Sequence, residues 1–413
     1  MLKLYTFLII FFICCGTLFP CSSAIISGRV TSDGRPILWK HRDARNDEND
    51  IRHFTGEKYD FTGLVNTDDT TGTQVWMGAN DAGFAIANTN SYNLDKGGYK
   101  GPMDQEGYFM KEALGRCGSL SDFEDMLDET SGKRGTLTDF VVMDAKGGAA
   151  YYEATPFTYE RFDATDPKTA PAGYLIRTNF GFSGKTGAGS GYIRYQACED
   201  VFHWGRLHGE ISPKFVLQKG SRSLKNPVLK TDLYLMDRPE SASMTEYVLL
   251  RDYIVRSSSV SAMVIQGVKP GEDPSLTTMW TIPAFPLTTP CIPVWTATGN
   301  TLPKSIVSNN GEASLLSENS LELKSRCFPL KVRDGRDYLD LAAILNDKEN
   351  GILQRLIPAE DEIIAAANEL LEQWSEDGFD PEQAKRFYNE IDRFIADFYE
   401  EMEVNPLPPA RMP

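Results

Sequence analysis

The chain is poor in the residues that mark several common classes of protein. Only four histidines, His41, His53, His203 and His208, occur in 413 residues, which argues against a dedicated histidine-rich metal site. Seven cysteines are far too few for a disulfide scaffold at this length. Positive charge is short as well. Against 42 Lys and Arg stand 58 Asp and Glu, a formal charge of −16, so the composition as a whole argues against binding nucleic acid or an anionic membrane. No internal repeat of solenoid length is visible. Beyond the first 20 residues no apolar run approaches the roughly 20 residues of a membrane-spanning helix. What is present, 41% apolar residues, suits a globular core and excludes wholesale disorder. The length fits roughly two or three domains of about 150 residues, or one large α/β domain. These limits point to a soluble enzyme or binding protein.

Residues 1–20 read MLKLYTFLIIFFICCGTLFP: one lysine, then an almost wholly apolar stretch from Leu4 to Phe19. A charged start, a short apolar centre and small residues soon afterwards predict a secretory signal peptide or pro-segment over 1–20. The protein is then exported, to the periplasm or the extracellular space, and carries no transmembrane span after processing. The position of the cut decides the chemistry. Cleavage before Cys21 makes that cysteine the first residue, whereas cleavage after Ala24 discards it. Lipidation of Cys21 fits poorly, because Leu18-Phe19-Pro20 stands where small residues are expected. Pro20 is awkward for signal peptidase, so self-cleavage of Pro20–Cys21 is a further route. Local rules leave the choice open.

After Cys21 the pattern turns to β. Strand-like runs at 22–31 and 36–41 flank the turn Ser32-Asp33-Gly34. A second hairpin joins 74–79 and 84–90 through Asn80-Asp81-Ala82-Gly83, and a third joins 140–144 and 149–155 across Lys146-Gly147-Gly148. Residues 108–117 and 120–129 read as helices, the second capped by Ser119. A strand over 175–180, a helix over 192–204 and strands over 260–266, 278–282 and 292–298 follow. The end differs: 361–374 and 380–403 are amphipathic helices joined around Gly378, with Asp380 as cap and Pro381 in the first position. This hairpin is expected to pack on the body or on a partner subunit, and the proline-rich end over 406–413 is expected to be loose.

Three motifs are discounted. Asn179–Thr186, NFGFSGKT, has Asn179 where a phosphate-binding loop needs its first glycine. His41-Arg42-Asp43 matches the first residues of a kinase catalytic loop, but Glu48 replaces its asparagine. His203 and His208 lack the spacing of a helical zinc motif.

The informative stretch runs from Cys21 to Asp43. It sets a thiol at the start of a strand hairpin and returns a cation, Lys40, and a carboxylate, Asp43, beside it. A chain-terminal cysteine supplies its own nucleophile and its own base, because a free α-amine ordinarily titrates at about 7.7–8.0. A nearby cation favours the thiolate. Cys21, the Asp33-Gly34 turn and Lys40-His41-Arg42-Asp43 resemble the opening of the N-terminal nucleophile (Ntn) hydrolases. The closest likeness is to the penicillin acyltransferase family (acyl-CoA:isopenicillin N acyltransferase), with its relatives the choloylglycine hydrolases and penicillin V acylases. Later matches are Asn80–Gly83 with Asn90 ten residues on, Thr178-Asn179, and the segment Ser190–Arg194. The likeness spans Cys21 to about Tyr195 and is weaker as far as Thr298.

The resemblance implies an α+β fold, a four-layer αββα sandwich with a C-terminal helical hairpin. It places an Ntn hydrolase-like catalytic domain at 21–345 and leaves an acidic helical appendage at 346–413. It implies Cys21 as nucleophile and base, Asp43 holding the amine, Asn90 and Asn179 stabilising an oxyanion, and Arg194 ordering the site. Lys40 stands where many relatives have arginine, and supplies charge without the planar fork. His41 replaces a common asparagine and is expected to alter pH dependence. The implied activity is hydrolysis of a small, non-peptide acyl amide through an acyl-enzyme, with no cofactor or metal. The alternatives are acyl transfer to an amine, or a secreted or lipid-anchored binding protein without a catalytic Cys21. Cys117, Cys198, Cys291 and Cys327 are expected either as disulfides of unassigned pairing or as buried free thiols.

Overall fold

The computed structural model describes residues 20–308 and 311–404; the signal-type segment over 1–19 and the end over 406–413 lie outside the described residues. In chain order the first half comprises β1 (Ser22–Ile26), β2 (Ile37–Asp43), β3 (Asn49–Phe54), β4 (Phe61–Asn66), β5 (Met77–Asn80), β6 (Ala85–Asn90), α1 (Glu106–Arg116), α2 (Leu120–Glu129), β7 (Thr138–Met143), β8 (Ala149–Ala154), β9 (Tyr159–Asp163), β10 (Tyr174–Arg177) and α3 (Tyr192–His208). The second half comprises α4 (Pro213–Phe215), β11 (Lys225–Asn226), β12 (Thr231–Asp232), β13 (Tyr247–Leu249), β14 (Ser259–Gln266), β15 (Thr278–Ile282), β16 (Ile292–Val294), α5 (Leu315–Cys327), β17 (Tyr338–Asp340), α6 (Leu341–Ile344), α7 (Ile352–Asp377) and α8 (Pro381–Val404).

Two antiparallel sheets carry the molecule. One has the order β10-β1-β2-β14-β15-β16, and the other runs β3 to β9 in chain order. Period-2 alternation decides what each face meets. In β7 and β8, Val141, Met143 and Tyr151 face the six-stranded sheet. Their neighbours Phe140, Val142 and Tyr152 face α1 and α2, where Phe109 and Phe123 complete an aromatic layer. On the far side of the six-stranded sheet, Trp39 of β2 packs edge-on against Phe202 of α3. The layers are therefore helix, sheet, sheet, helix. Covered on both faces, β1 and β2 are buried at every position.

The elements differ from their predicted bounds in instructive ways. β1 stops at Ile26, and 27–31 form the turn region; β2 reaches Asp43, carrying the carboxylate on the strand itself. β10 ends at Arg177, so Thr178 and Asn179 lie just beyond it. Residues 292–298 are a strand only over Ile292–Val294, followed by a single tight turn at Thr296–Thr298. α3 continues to His208, where Gly209 ends it in the left-handed conformation. α7 begins at Ile352, nine residues before the predicted start, and runs through Pro358. Cys117, Cys198, Cys291 and Cys327 are free and buried.

The helical pair α7–α8 packs on the body. Trp295 meets Trp374 edge-on and stacks on Tyr388, while Tyr399 donates to the Thr288 carbonyl at 2.9 Å. Beneath it lies a fully buried ion pair. Arg222 grips Glu360 with two bonds of 2.8 and 2.5 Å, and Glu360 also accepts from the Cys291 amide at 2.8 Å. A buried guanidinium left without its carboxylate is costly, so Glu360→Ala should lower unfolding free energy by about 3–5 kcal/mol. Denaturant unfolding of the two proteins measures it; a change below about 1 kcal/mol refutes this role.

Candidate active site

The six residues singled out from the sequence lie on five segments that the fold brings together. Cys21 immediately precedes β1, and Lys40 and Asp43 lie on β2 beside it, with Ser23 opposite Lys40 and Ser22 opposite His41 in register. Asn90 closes β6, Asn179 follows β10, and Arg194 sits in the first turn of α3. Cys21, Lys40, Asp43, Asn179 and Arg194 are buried and Asn90 is half-buried.

Arg194 ties three of these segments together. Its guanidinium donates to the Cys21 carbonyl, to Ser22 Oγ at 2.8 Å and to Asn179 Oδ1 at 2.7 Å. Burial lowers its pKa to about 10, which still leaves it charged. The close approach depends on Gly191, which caps α3 at φ +89°; a Cβ there would stand 2.4 Å from Arg194 Nη2.

Two asparagines take their orientation from cations that can only donate. Because Arg194 holds Asn179 Oδ1, the Asn179 amide group points onward and donates to the Asn90 carbonyl at 2.9 Å. Lys40 Nζ donates to Asn88 Oδ1 at 2.7 Å and to the Trp76 carbonyl at 3.1 Å. Asn88 Nδ2 must then point away, and it donates to Asn90 Oδ1 at 3.0 Å. Asn90 is left with Nδ2 as a donor without a partner among the described residues. Lys40 thus acts on Asn90 through Asn88. Its hydrogen bonds go to Asn88 and Trp76 rather than to Cys21, although the thiol lies close enough to raise its proton affinity against the stronger effect of burial, which lowers the Lys40 pKa to about 8. Glu106, at the start of α1, faces the same region; burial pushes its carboxyl up to about 7, while it accepts from the Leu137 amide at 3.2 Å.

Asp43 is held by side chains from 256–259. Its carboxylate pairs with Arg256 and accepts from Ser259 Oγ at 2.8 Å and Ser258 Oγ at 3.3 Å. Arg256 also donates to the carbonyl of Pro20. The Cys21 thiol lies 3.8 Å from the backbone oxygen of Asp43. Asp43 and Arg256 therefore flank the Pro20–Cys21 peptide. His41 joins this group through Ser259, whose Oγ lies 2.7 Å from its Nε2. Burial lowers its pKa to about 4, which leaves the ring neutral near pH 7.

The discounted NFGFSGKT loop has its central amides, Gly181 to Ser183, occupied by side chains. Glu153 accepts from the amides of Phe182 (2.8 Å) and Ser183 (2.7 Å) and from Arg177 Nε (2.8 Å), and Asn93 Oδ1 accepts from the Gly181 amide at 2.7 Å. Among the described residues no three His, Cys, Asp or Glu side chains gather as a metal site.

Sequence reasoning missed Arg256, Ser259, Glu106 and Asn88. Nothing local marks the first three. Asn88 carried a signal, standing two residues before Asn90 and so on the same face of β6. Asn80, by contrast, is a turn residue whose amide group donates to the carbonyls of Leu114 and Cys117 at 2.8 and 2.7 Å.

Beside the site Asp139 faces Glu153 across β7 and β8 in direct register. Both are buried, and the Asp139 oxygens have no hydrogen-bond partner among the described residues. Burial and then the Glu153 charge push the Asp139 carboxyl well above the usual carboxylate range, with Arg177 and Ser91 opposing. A carboxyl raised in the folded state stabilises fully below its unfolded value, about 3.9, and that stability is lost as pH rises through the folded value. Asp139→Asn should therefore gain stability over the parent progressively as pH rises above about 4. Urea midpoints measured across pH test this; parallel profiles would refute it.

No family model matches this chain, and no curated protein matches it. Among solved structures it is similar to a variant of conjugated bile acid hydrolase from Clostridium perfringens, at 10% identity and a TM-score of 0.40, covering 68% of this chain and 94% of that one. A second variant of that hydrolase is matched over about half of its length, 52%. The Caenorhabditis elegans ortholog of N-acylethanolamine-hydrolyzing acid amidase follows at 14% identity and a TM-score of 0.38, covering 59% and 92%. Penicillin V acylase from Agrobacterium tumefaciens has 11% identity and a TM-score of 0.34, covering 67% and 86%.

Proposed function

We propose that this chain is an exported N-terminal nucleophile amidohydrolase that cleaves a small, non-peptide acyl amide. The observation that carries this reading is the junction at Cys21: one buried guanidinium, Arg194, holds the Cys21 carbonyl, Ser22 and Asn179, and Asp43 with Arg256 flanks the Pro20–Cys21 bond. Loss of the residues before Cys21 frees an amine next to its thiol. That amine takes the thiol proton, and the sulfur attacks the substrate's carbonyl carbon. Negative charge develops on the carbonyl oxygen, where the Asn90 amide group and the remaining Asn179 proton are the available donors. The C–N bond then breaks as the leaving nitrogen takes the proton from the Cys21 amine. Water hydrolyses the thioester, releasing a carboxylic acid and restoring the thiol. Asp43 keeps the amine in place, and Lys40 acts by fixing Asn88 and so the donor of Asn90.

Cys21→Ser should lose most activity toward a panel of acyl amides scored by release of free amine, while its circular dichroism and thermal unfolding stay unchanged. Turnover equal to the parent, or a mature N-terminus at Ile25 by mass spectrometry, would sink the mechanism. Asn90→Ala should cost about 10²–10³ in kcat, the usual effect of removing one oxyanion donor.

Lys40 has Cys21, Glu106 and Arg42 as its charged neighbours and a pKa of about 8. As pH rises past about 8 it loses the charge that orients Asn88. Activity should fall there, and Lys40→Arg should carry the plateau to higher pH because arginine stays charged. Superimposable pH–rate profiles would count against the relay from Lys40 to Asn90.

A further inference from the structure

The charge of −16 is an average, and one stretch reverses it. Residues 203–238 contain seven Lys and Arg against three Asp and Glu; of the seven, Arg222 is buried against Glu360 and Lys214 pairs with Asp361, so Arg206, Lys219, Lys225, Lys230 and Arg238 remain. Large apolar side chains stand in solvent along the same stretch: Trp204 is 46% exposed, Leu207 65%, Val228 59%, Leu229 57% and Leu235 83%. They belong to one face. Trp204, Leu207 and Leu235 line a groove of about 570 Å³ together with Lys219 and Lys225, and with Asp200 and Asp232 at its Lys225 end. Lys225 and Asp232 form the base of the β11–β12 hairpin, whose tip carries Val228, Leu229 and Lys230.

The tip is built to stay in place. Asn226 Oδ1 accepts from the amides of Val228 and Leu229 at 3.1 and 3.0 Å, and Lys230 adopts φ +53°, in the left-handed region. Two apolar side chains are thereby held outward on a fixed turn. A groove and a tip of this kind, on one side of a soluble domain, mark an interaction surface.

Charge decides which partner fits. Lys219, Lys230 and Arg206 make no ion pair among the described residues, whereas Lys225 is 3.4 Å from Asp200. Across a two-fold interface this face would meet a second copy of itself, and Lys219, Lys230 and Arg206 would bring their unpaired charge to both sides. A layer of anionic headgroups complements them, and an exposed tryptophan and leucines suit the boundary beneath it. The rest of the acidic surface is repelled from such a layer, so this face alone approaches. We propose that it docks on the surface of an anionic phospholipid bilayer, with Trp204, Leu207, Val228 and Leu229 entering the headgroup region and Lys219 and Lys230 among the phosphates. α3 then runs from this surface to the site, since Trp204 lies about 15 Å along the helix from Arg194.

The test is co-sedimentation of the full chain with phosphatidylcholine vesicles, with and without phosphatidylserine, at low and high salt. The apolar segment at 4–19 is common to every protein and both vesicle types, so differences between them read this face. The parent should sediment with the serine-containing vesicles, and salt should weaken it. Val228→Ser with Leu229→Ser, and separately Lys219→Glu with Lys230→Glu, should each lower that binding about tenfold or more, with unfolding midpoints confirming that both variants fold. Equal binding to both vesicle types, or variants that bind as the parent does, would overturn the proposal. So would a concentration-dependent dimer that the same substitutions dissolve, which would make the face a contact between copies.

Discussion

A guanidinium without water must be surrounded by acceptors, and Arg194 imposes that condition on the centre of this protein. It has donors only, so every group around it must present oxygen: the Cys21 carbonyl, Ser22 and Asn179. These belong to the start of β1 and the end of β10, neighbouring strands of one sheet. Meeting the needs of one side chain therefore sets the strand ends, the first turn of α3 and the direction of an amide. Gly191 is the backbone concession that makes it possible.

The same logic repeats around the molecule. Lys40 fixes Asn88, Arg177 meets Glu153, and Arg222 meets Glu360. An acidic protein thus keeps several of its cations inside, where each organises acceptors, and leaves much of its negative charge outside. The α7–α8 pair is the extreme case: fifteen acidic residues lie between 359 and 403, and apart from Glu360, which is buried against Arg222, those among the described side chains stand off the apolar face that packs on the body. Net charge therefore describes the surface on average. It says nothing of the site, and it conceals the basic, apolar face beside the far end of α3.

Much of the architecture was legible because alternation and capping are local. Ser119 accepts from the Asp122 amide at 3.3 Å and opens α2 as its position suggested. The hairpin across Lys146–Gly148 and the strands at 260–266 and 278–282 also follow from composition and period. β3 and β4 were not read, since 49–54 and 61–66 mix polar and apolar residues without a clean period. Pro358 obscured the start of α7, although a helix packed along one face tolerates the loss of one amide donor.

The sequence alone determined which chemistry was on offer: a thiol at the mouth of a strand hairpin, a carboxylate on the return strand, and asparagines at two later strand ends. The layered class of fold came from the resemblance, with which the hairpin-rich β pattern is compatible. The tertiary structure decided the partners. Arg256 comes to Asp43 from 213 residues away and Arg194 to Cys21 from 173. Asn88 was within reach of inspection but became meaningful only once Lys40 lay beside it. Strand period constrains which face a side chain occupies, whereas hydrogen-bond partners depend on which strands become neighbours. That choice is made by burying both sheet faces at once.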